Sequence, residues 1–134
     1  MALNRTDILF ELYSIGRKFR SLAKEKNSDT MLTAVILRAL KREAMSVSHL
    51  GVLVSMKPSA MSEKVQALLG SGLVRREQSV DERELVIAIT AKGRHKLTFV
   101  LKQIQSHVGR KFGSISDEEM TALVAILKKI TETL

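Results

Sequence analysis

The sequence predicts a mainly α-helical protein with one small β-hairpin, and three observations carry that expectation. Most of the chain repeats apolar residues at intervals of three and four, the period of an amphipathic helix. One short segment, residues 85–89 (Leu-Val-Ile-Ala-Ile), is instead rich in β-branched residues and follows a charged run, as the return strand of a hairpin does. Aromatic residues are 4% of the 134, with no Trp and one Pro, which suits an aliphatic helical core rather than a base-stacking platform or a carbohydrate site.

The stretch from Ser46 to Gly93 organises the rest. Ser46 suits the N-cap of a short helix whose apolar residues are Val47, Leu50, Val52 and Leu53. Pro58 suits the first position of the next helix, because it has no N–H to leave unpaired and its φ is already helical. Lys57, before the proline, is pushed out of the helical region and becomes the N-cap. In the second helix Met61, Val65, Leu68 and Leu69 make the buried stripe, and Gly70 and Gly72 end it. Ser59, Ser62, Glu63 and Gln66 share the opposite face. Two short helices joined by a tight turn form a helix-turn-helix, although the pair alone equally fits two packed helices with no ligand. The following hairpin distinguishes them. Residues 73–78 and 85–89 are its strands and 79–84 its charged tip, with Arg83 suited to a narrow minor groove or to phosphates. Asp81 is expected to hydrogen-bond the Arg83 guanidinium. Helix, turn, helix and hairpin together describe a winged helix.

The run Asp81-Glu82-Arg83-Glu84-Leu85-Val86-Ile87-Ala88-Ile89-Thr90-Ala91-Lys92-Gly93 resembles the wing signature of the MarR family of transcriptional regulators. That signature is D-x-R, an apolar-x-apolar-Thr strand end, two residues, then Gly. Gly72-Leu73-Val74-Arg75-Arg76 is similar to the family's exit from its recognition helix. The likeness extends over nearly the whole chain. It departs at Glu63, where members often carry a basic residue, and at Ala67, where many carry a charged one. A carboxylate facing DNA repels phosphate but can accept from cytosine N4.

Flanking helices are expected on both sides. The first runs from Thr6 to Lys26, with Ile8, Leu12, Ile15, Phe19 and Leu22 as its stripe and Leu9, Phe10 and Tyr13 widening it. Asn27 to Thr30 breaks it, Thr30 caps the next helix, and that helix holds Val35, Ile36, Leu37, Ala39 and Leu40 and ends near Arg42. Thr90 caps a long helix from Ala91 to Phe112, closed by Gly113. Ser116-Asp117-Glu118-Glu119 is a capping box for the last helix. The resemblance implies one domain: residues 28–93 as the winged-helix lobe, and residues 1–27 and 94–134 as dimerisation helices. A two-fold dimer implies a palindromic site with half-sites about one DNA turn apart.

Net charge is +8, which fits a polyanion partner. The excess is +4 over residues 1–45, only +1 over 46–93 and +3 over 94–134, so the reading module itself is nearly neutral. There is no cysteine, hence no disulfide, thiolate zinc site or thiol switch. His95 and His107 would lie about 120° apart around one helix and about 18 Å along it, too far to share an ion. No glycine-rich phosphate loop or H-E-x-x-H pattern is present. No catalysis, cofactor or metal is expected, and with no apolar run of membrane-spanning length and no leader-like N-terminus the protein is expected in the cytoplasm.

The reading is a homodimeric, sequence-specific regulator of double-stranded DNA, a repressor. Ser59, Ala60, Ser62, Glu63 and Gln66 would face the major groove. Ser46, Ser48 and Lys57 would hold phosphates, Arg75 would add charge beside them, and Arg83 with Asp81 would enter the minor groove. The resemblance further implies a small aromatic anion as effector, for which Tyr13, Arg17, Met31 and Met45 are candidate lining residues. A winged helix used for protein–protein contact, or a non-specific architectural DNA binder, are the alternatives.

Overall fold

The computed structural model describes residues 2–25, 28–81 and 83–134, without the side chains of residues 21–25, 28, 29 and 107. Lys26 and Asn27, read as the end of the first helix, and Glu82 of the wing run lie outside the described residues, as do the side chains of Leu22 and His107. The order is α1 (Arg5–Glu25), α2 (Ser28–Arg42), β1 (Met45–Ser46), α3 (Val47–Leu53), α4 (Pro58–Gly70), β2 (Val74–Glu77), β3 (Val86–Ile89), α5 (Ala91–Lys111) and α6 (Asp117–Thr133). Two compact units are present, residues 1–98 and residues 99–134.

In the first unit the core is aliphatic. Ile36, Leu37 and Leu40 of α2, Leu50 of α3, Met61, Val65 and Leu68 of α4, and Ile87 of β3 are all buried. Each lies on the predicted stripe of its own element. The stripe of α2 is narrower than its composition suggests, because Val35 is exposed while Ala34 and Thr33 are buried. Leu69 of α4 is only half-buried. Val52 and Leu53 of α3 are 81% and 54% exposed, since seven residues of helix have room to bury one face only.

The hairpin is wider than expected. β3 pairs antiparallel with β2 on one side and with β1 on the other, so the sheet order is β1-β3-β2. Met45 lies opposite Ile87 and Ser46 opposite Val86, and the Val47 N–H donates to the Leu85 carbonyl at 2.9 Å. The start of α3 is thereby tied to the wing.

Both helices of the helix-turn-helix end in the same way. At α3 the Met56 N–H donates to the Gly51 carbonyl (2.9 Å) and the Ser55 N–H to the Val52 carbonyl (3.2 Å), with Ser55 left-handed at φ 56°. At α4 the Leu73 N–H donates to the Leu68 carbonyl and the Gly72 N–H to the Leu69 carbonyl, with Gly72 at φ 73°. These are paired Schellman closures. Gly70 is therefore the last helical residue of α4, and Gly72 alone makes the reversal. Thr30 is not a cap either, because α2 already begins at Ser28 and Thr30 lies inside its first turn.

The N-capping expectations elsewhere hold, but Gly113 does not close α5: its φ is not positive, and α5 ends at Lys111. Ser46 Oγ accepts from the His49 N–H at 3.1 Å, and Lys57 is the extended N-cap before Pro58. Thr90 Oγ1 accepts from the Gly93 N–H at 3.0 Å and donates to the Gly72 carbonyl at 2.6 Å. The backbone of Gly93 presses on the chain leaving α4: a Cβ there would run into the Leu73 carbonyl oxygen and lie 2.8 Å from Ile89 Cγ1.

In the second unit, α6 opens on the predicted box. The Glu119 N–H donates to Ser116 Oγ and the Ser116 N–H to Glu119 Oε1, both at 3.1 Å. Hydrogen bonding from Ser116 to the Glu119 carboxylate, from its backbone N–H foremost and then from its hydroxyl, holds that carboxyl below its ordinary pKa.

Three outcomes follow from this geometry. Gly93→Ala is expected to destabilise the chain by about 1–3 kcal/mol in denaturant unfolding, because a fixed carbonyl cannot move aside. Gly16→Ala in α1, where a Cβ meets nothing within 4 Å, is expected to be neutral or mildly stabilising. Since the folded pKa of Glu119 lies below the unfolded value, its contribution is complete at neutral pH and is lost as pH falls through the folded-state value. Amide exchange in the first turn of α6 should quicken over that acid range, and Glu119→Gln should remove the dependence.

Candidate nucleic-acid interface

The sequence of α4 decides which side chains it presents. With Met61, Val65 and Leu68 buried, the 3.6-residue period leaves Ser59, Ala60, Ser62, Glu63 and Gln66 exposed, and all five are. Four of them end in hydroxyl, carboxylate or amide groups with the reach to donate to or accept from a flat polar edge. Lys57, at the start of the same helix, is exposed and its side chain makes no capping bond.

The remaining predicted positions fall on three neighbouring elements. Ser46 is half-buried in β1, and its hydroxyl oxygen serves the cap of α3, while Ser48 is exposed as the second residue of that helix. Arg75 on β2 is exposed, and its guanidinium lies 3.5 Å from Glu77 two residues on, a solvated pair that contributes little to stability. Arg76 beside it is exposed as well.

The wing tip corrects one expectation. Asp81 does not hold the Arg83 guanidinium. Its Oδ1 accepts from the Arg83 backbone N–H at 3.0 Å, and the Asp81 N–H donates to Ser79 Oγ. Aspartate two residues before an amide closes an Asx-type turn more readily than it reaches a side chain. The carboxylate therefore sets the path of the tip and leaves the Arg83 side chain exposed.

The residues considered for a small-molecule crevice do not gather in one place. Tyr13 and Arg17, one turn apart on α1, line an open groove on that helix with Leu12, Gly16 and Arg20. Met31 is exposed on α2, and Met45 is half-buried in β1 opposite Ile87. No cavity among the described residues is lined by all four.

Two lysines escaped the sequence reading. Lys64 Nζ on α4 donates to the buried Thr33 Oγ1 of α2 at 2.9 Å, and Lys92 Nζ donates to the Ser71 carbonyl at 2.7 Å. Neither bond is visible in spacing, since 31 and 21 residues separate the partners. No group of three or more His, Asp or Glu among the described residues is placed to hold a metal, and no helix among them is long and apolar enough to cross a membrane.

No family model and no curated protein matches the sequence. The fold does find relatives. The transcriptional regulator BldR from Sulfolobus solfataricus superposes with a TM-score of 0.82 at 26% identity, over 98% of this chain and 100% of that one. A MarR-family transcriptional regulator from Silicibacter pomeroyi gives 0.70 at 26% identity, over 90% and 84%. A mutant MarR from E. coli, complexed with operator DNA, gives 0.65 at 17% identity, over 90% and 95%.

The Asx turn at the tip has a direct readout. Asp81→Ala should raise the hydrogen-exchange rate of the Arg83 amide several-fold, whereas Asp81→Asn, which keeps an acceptor oxygen, should leave it near the original rate.

Proposed function

We propose that this chain, a MarR-type winged helix in fold like the transcriptional regulators it resembles, is a sequence-specific regulator that binds double-stranded DNA as a homodimer and represses transcription. The observation that carries the reading is the exposed polar face of α4, set on a helix whose opposite face is buried, which starts on Pro58 and is closed at its C-terminal end by the Leu73 and Gly72 amides. Such a helix enters a major groove as a rigid body, with Ser59, Ser62, Glu63 and Gln66 toward base edges. The E. coli MarR mutant of the same fold is complexed with operator DNA, which supports DNA as the partner by analogy of fold. Ser48 and Lys57 then lie toward phosphates, and Arg83, on a tip shaped by Asp81, lies toward the minor groove beside the half-site. A net charge of +8 makes the association salt-dependent.

Two apolar faces support the dimer. On α1, Leu9, Phe10 and Tyr13 are each about two-thirds or more exposed, and on α6 Met120, Leu123, Val124, Ile126 and Leu127 are all exposed. Side chains of this kind in rows along a helix, rather than scattered, mark association surfaces. A second copy supplies the same two faces, which is what a two-fold interface requires. For release, an aromatic anion is the proposed effector. The groove beside Tyr13 and Arg17 supports it, offering a ring to stack on and a guanidinium for a carboxylate. One feature favours a second reading: Glu63 stands on the α4 face and repels phosphate, as suits a module that binds protein instead.

Selection of bound duplexes from a random pool near physiological salt, with the mass in solution measured alongside, tests the proposal. The expected result is a palindrome with half-sites about one turn apart, bound by a species of twice the chain mass. Arg83→Ala should weaken binding across many sequences. Gln66→Ala should relax preference at one base pair, by about 1–3 kcal/mol. Enrichment of no sequence despite salt-sensitive binding would make the protein architectural. No binding at modest salt would leave the protein-contact reading.

A further inference from the structure

On the flank of α4, away from its exposed polar face, the first unit holds a half-open cavity of about 340 Å³ whose polar lining is Lys64, Lys92, Lys96, Thr33 and Ser71. Lys64, Lys92 and Lys96 are its cationic lining, and none of the described lining residues is acidic. The placement of Lys92 and Lys96 is unfavourable in an empty site. Lys92 and Lys96 stand four apart on α5, where like charges repel. They also occupy its first two turns, where the helix dipole disfavours cations, and α5 has no acid in its first turn to offset them. Two of the three are nonetheless oriented. Lys64 is held by Thr33, and Lys92 by the Ser71 carbonyl, which uses one of its three N–H donors. Lys96 makes no hydrogen bond or ion pair among the described residues.

We propose that this cavity is a binding site for a phosphate group, carried by a small phosphorylated molecule or free in solution. A dianion offsets the charge of Lys92 and Lys96, and its several oxygens accept from both at once. A monocarboxylate compensates only part of it. Lysine, a compact charge with rotatable donors, suits a phosphate that no planar fork clamps. The site uses none of Tyr13, Arg17, Met31 or Met45, and it does not depend on the DNA reading, because its occupancy is measured without DNA.

The test is a titration of the full chain with inorganic phosphate at constant ionic strength, balanced with chloride and followed by backbone amide shifts. The expected result is saturable shifts confined to residues 71–73 and 92–96, with a matching rise in melting temperature. Lys96→Gln leaves the bond from Lys92 to Ser71 intact and should weaken phosphate about fivefold or more, the loss of one charge-assisted contact. Lys92→Gln with Lys96→Gln should abolish saturation while the remaining amides keep their positions. A sugar phosphate that binds more tightly than inorganic phosphate supports the site with a phosphorylated small molecule as its ligand, and equal binding supports it with free phosphate. Three results would each overturn the proposal: shifts that rise linearly and spread over all basic residues, acetate binding as tightly as phosphate, or saturation that survives both substitutions.

Discussion

The carbonyl of Leu73 and the bare backbone of Gly93 meet where three elements must coincide. The Leu73 N–H closes α4 by donating to Leu68, and its carbonyl accepts from the Thr90 N–H at 3.2 Å. Thr90 in turn bonds the Gly72 carbonyl and caps α5 through Gly93. The exit of the polar-faced helix, the end of the return strand and the start of α5 thus share a few atoms. Any side chain at Gly93 would push them apart. Because β3 also pairs with β1 at the root of α3, a shift at this junction reaches both helices of the helix-turn-helix. The angle between α4 and the wing is therefore set by backbone contacts rather than by surface ion pairs, which salt would weaken.

Charge is arranged differently from what net charge suggests. The chain is strongly basic, yet the exposed face of α4 carries hydroxyls, an amide and a carboxylate instead of a row of lysines. Lysines gather on that helix's flank, where two of them serve internal carbonyl and hydroxyl oxygens. Specific recognition of a polar edge needs short groups in fixed positions, and long cations are better used for phosphates at the margin.

Local chemistry was the most legible part of the chain. Ser46, Lys57 with Pro58, Thr90 and Ser116 were recognisable as caps, because capping involves partners within four residues. The stripe of α4 followed from period, Leu69 apart, and so did the polar identity of its exposed face, whereas in α2 Val35 is exposed and Thr33 and Ala34 are buried instead. Legibility failed where partners are distant or where two local solutions compete. The two residues of β1 carry no pattern of their own and exist only because β3 lies beside them. Asp81 had a side chain and a backbone amide within reach, and the turn favoured the amide. Thr30 had the chemistry of a cap, but the helix began two residues earlier.

What the sequence determined by itself was the inventory of helices, their caps, the hairpin and the winged-helix pattern, since each depends on interactions within a few residues. It also determined that α1 and α6 carry apolar side chains in rows. What only tertiary structure decided was how those local pieces meet. It brought Gly93 against Leu73, Lys64 against Thr33 and Lys92 against Ser71, and it added a third strand that joins α3 to the wing. Periodicity reports which face of an element is buried, but the partner that buries it is chosen by packing among residues far apart in the chain.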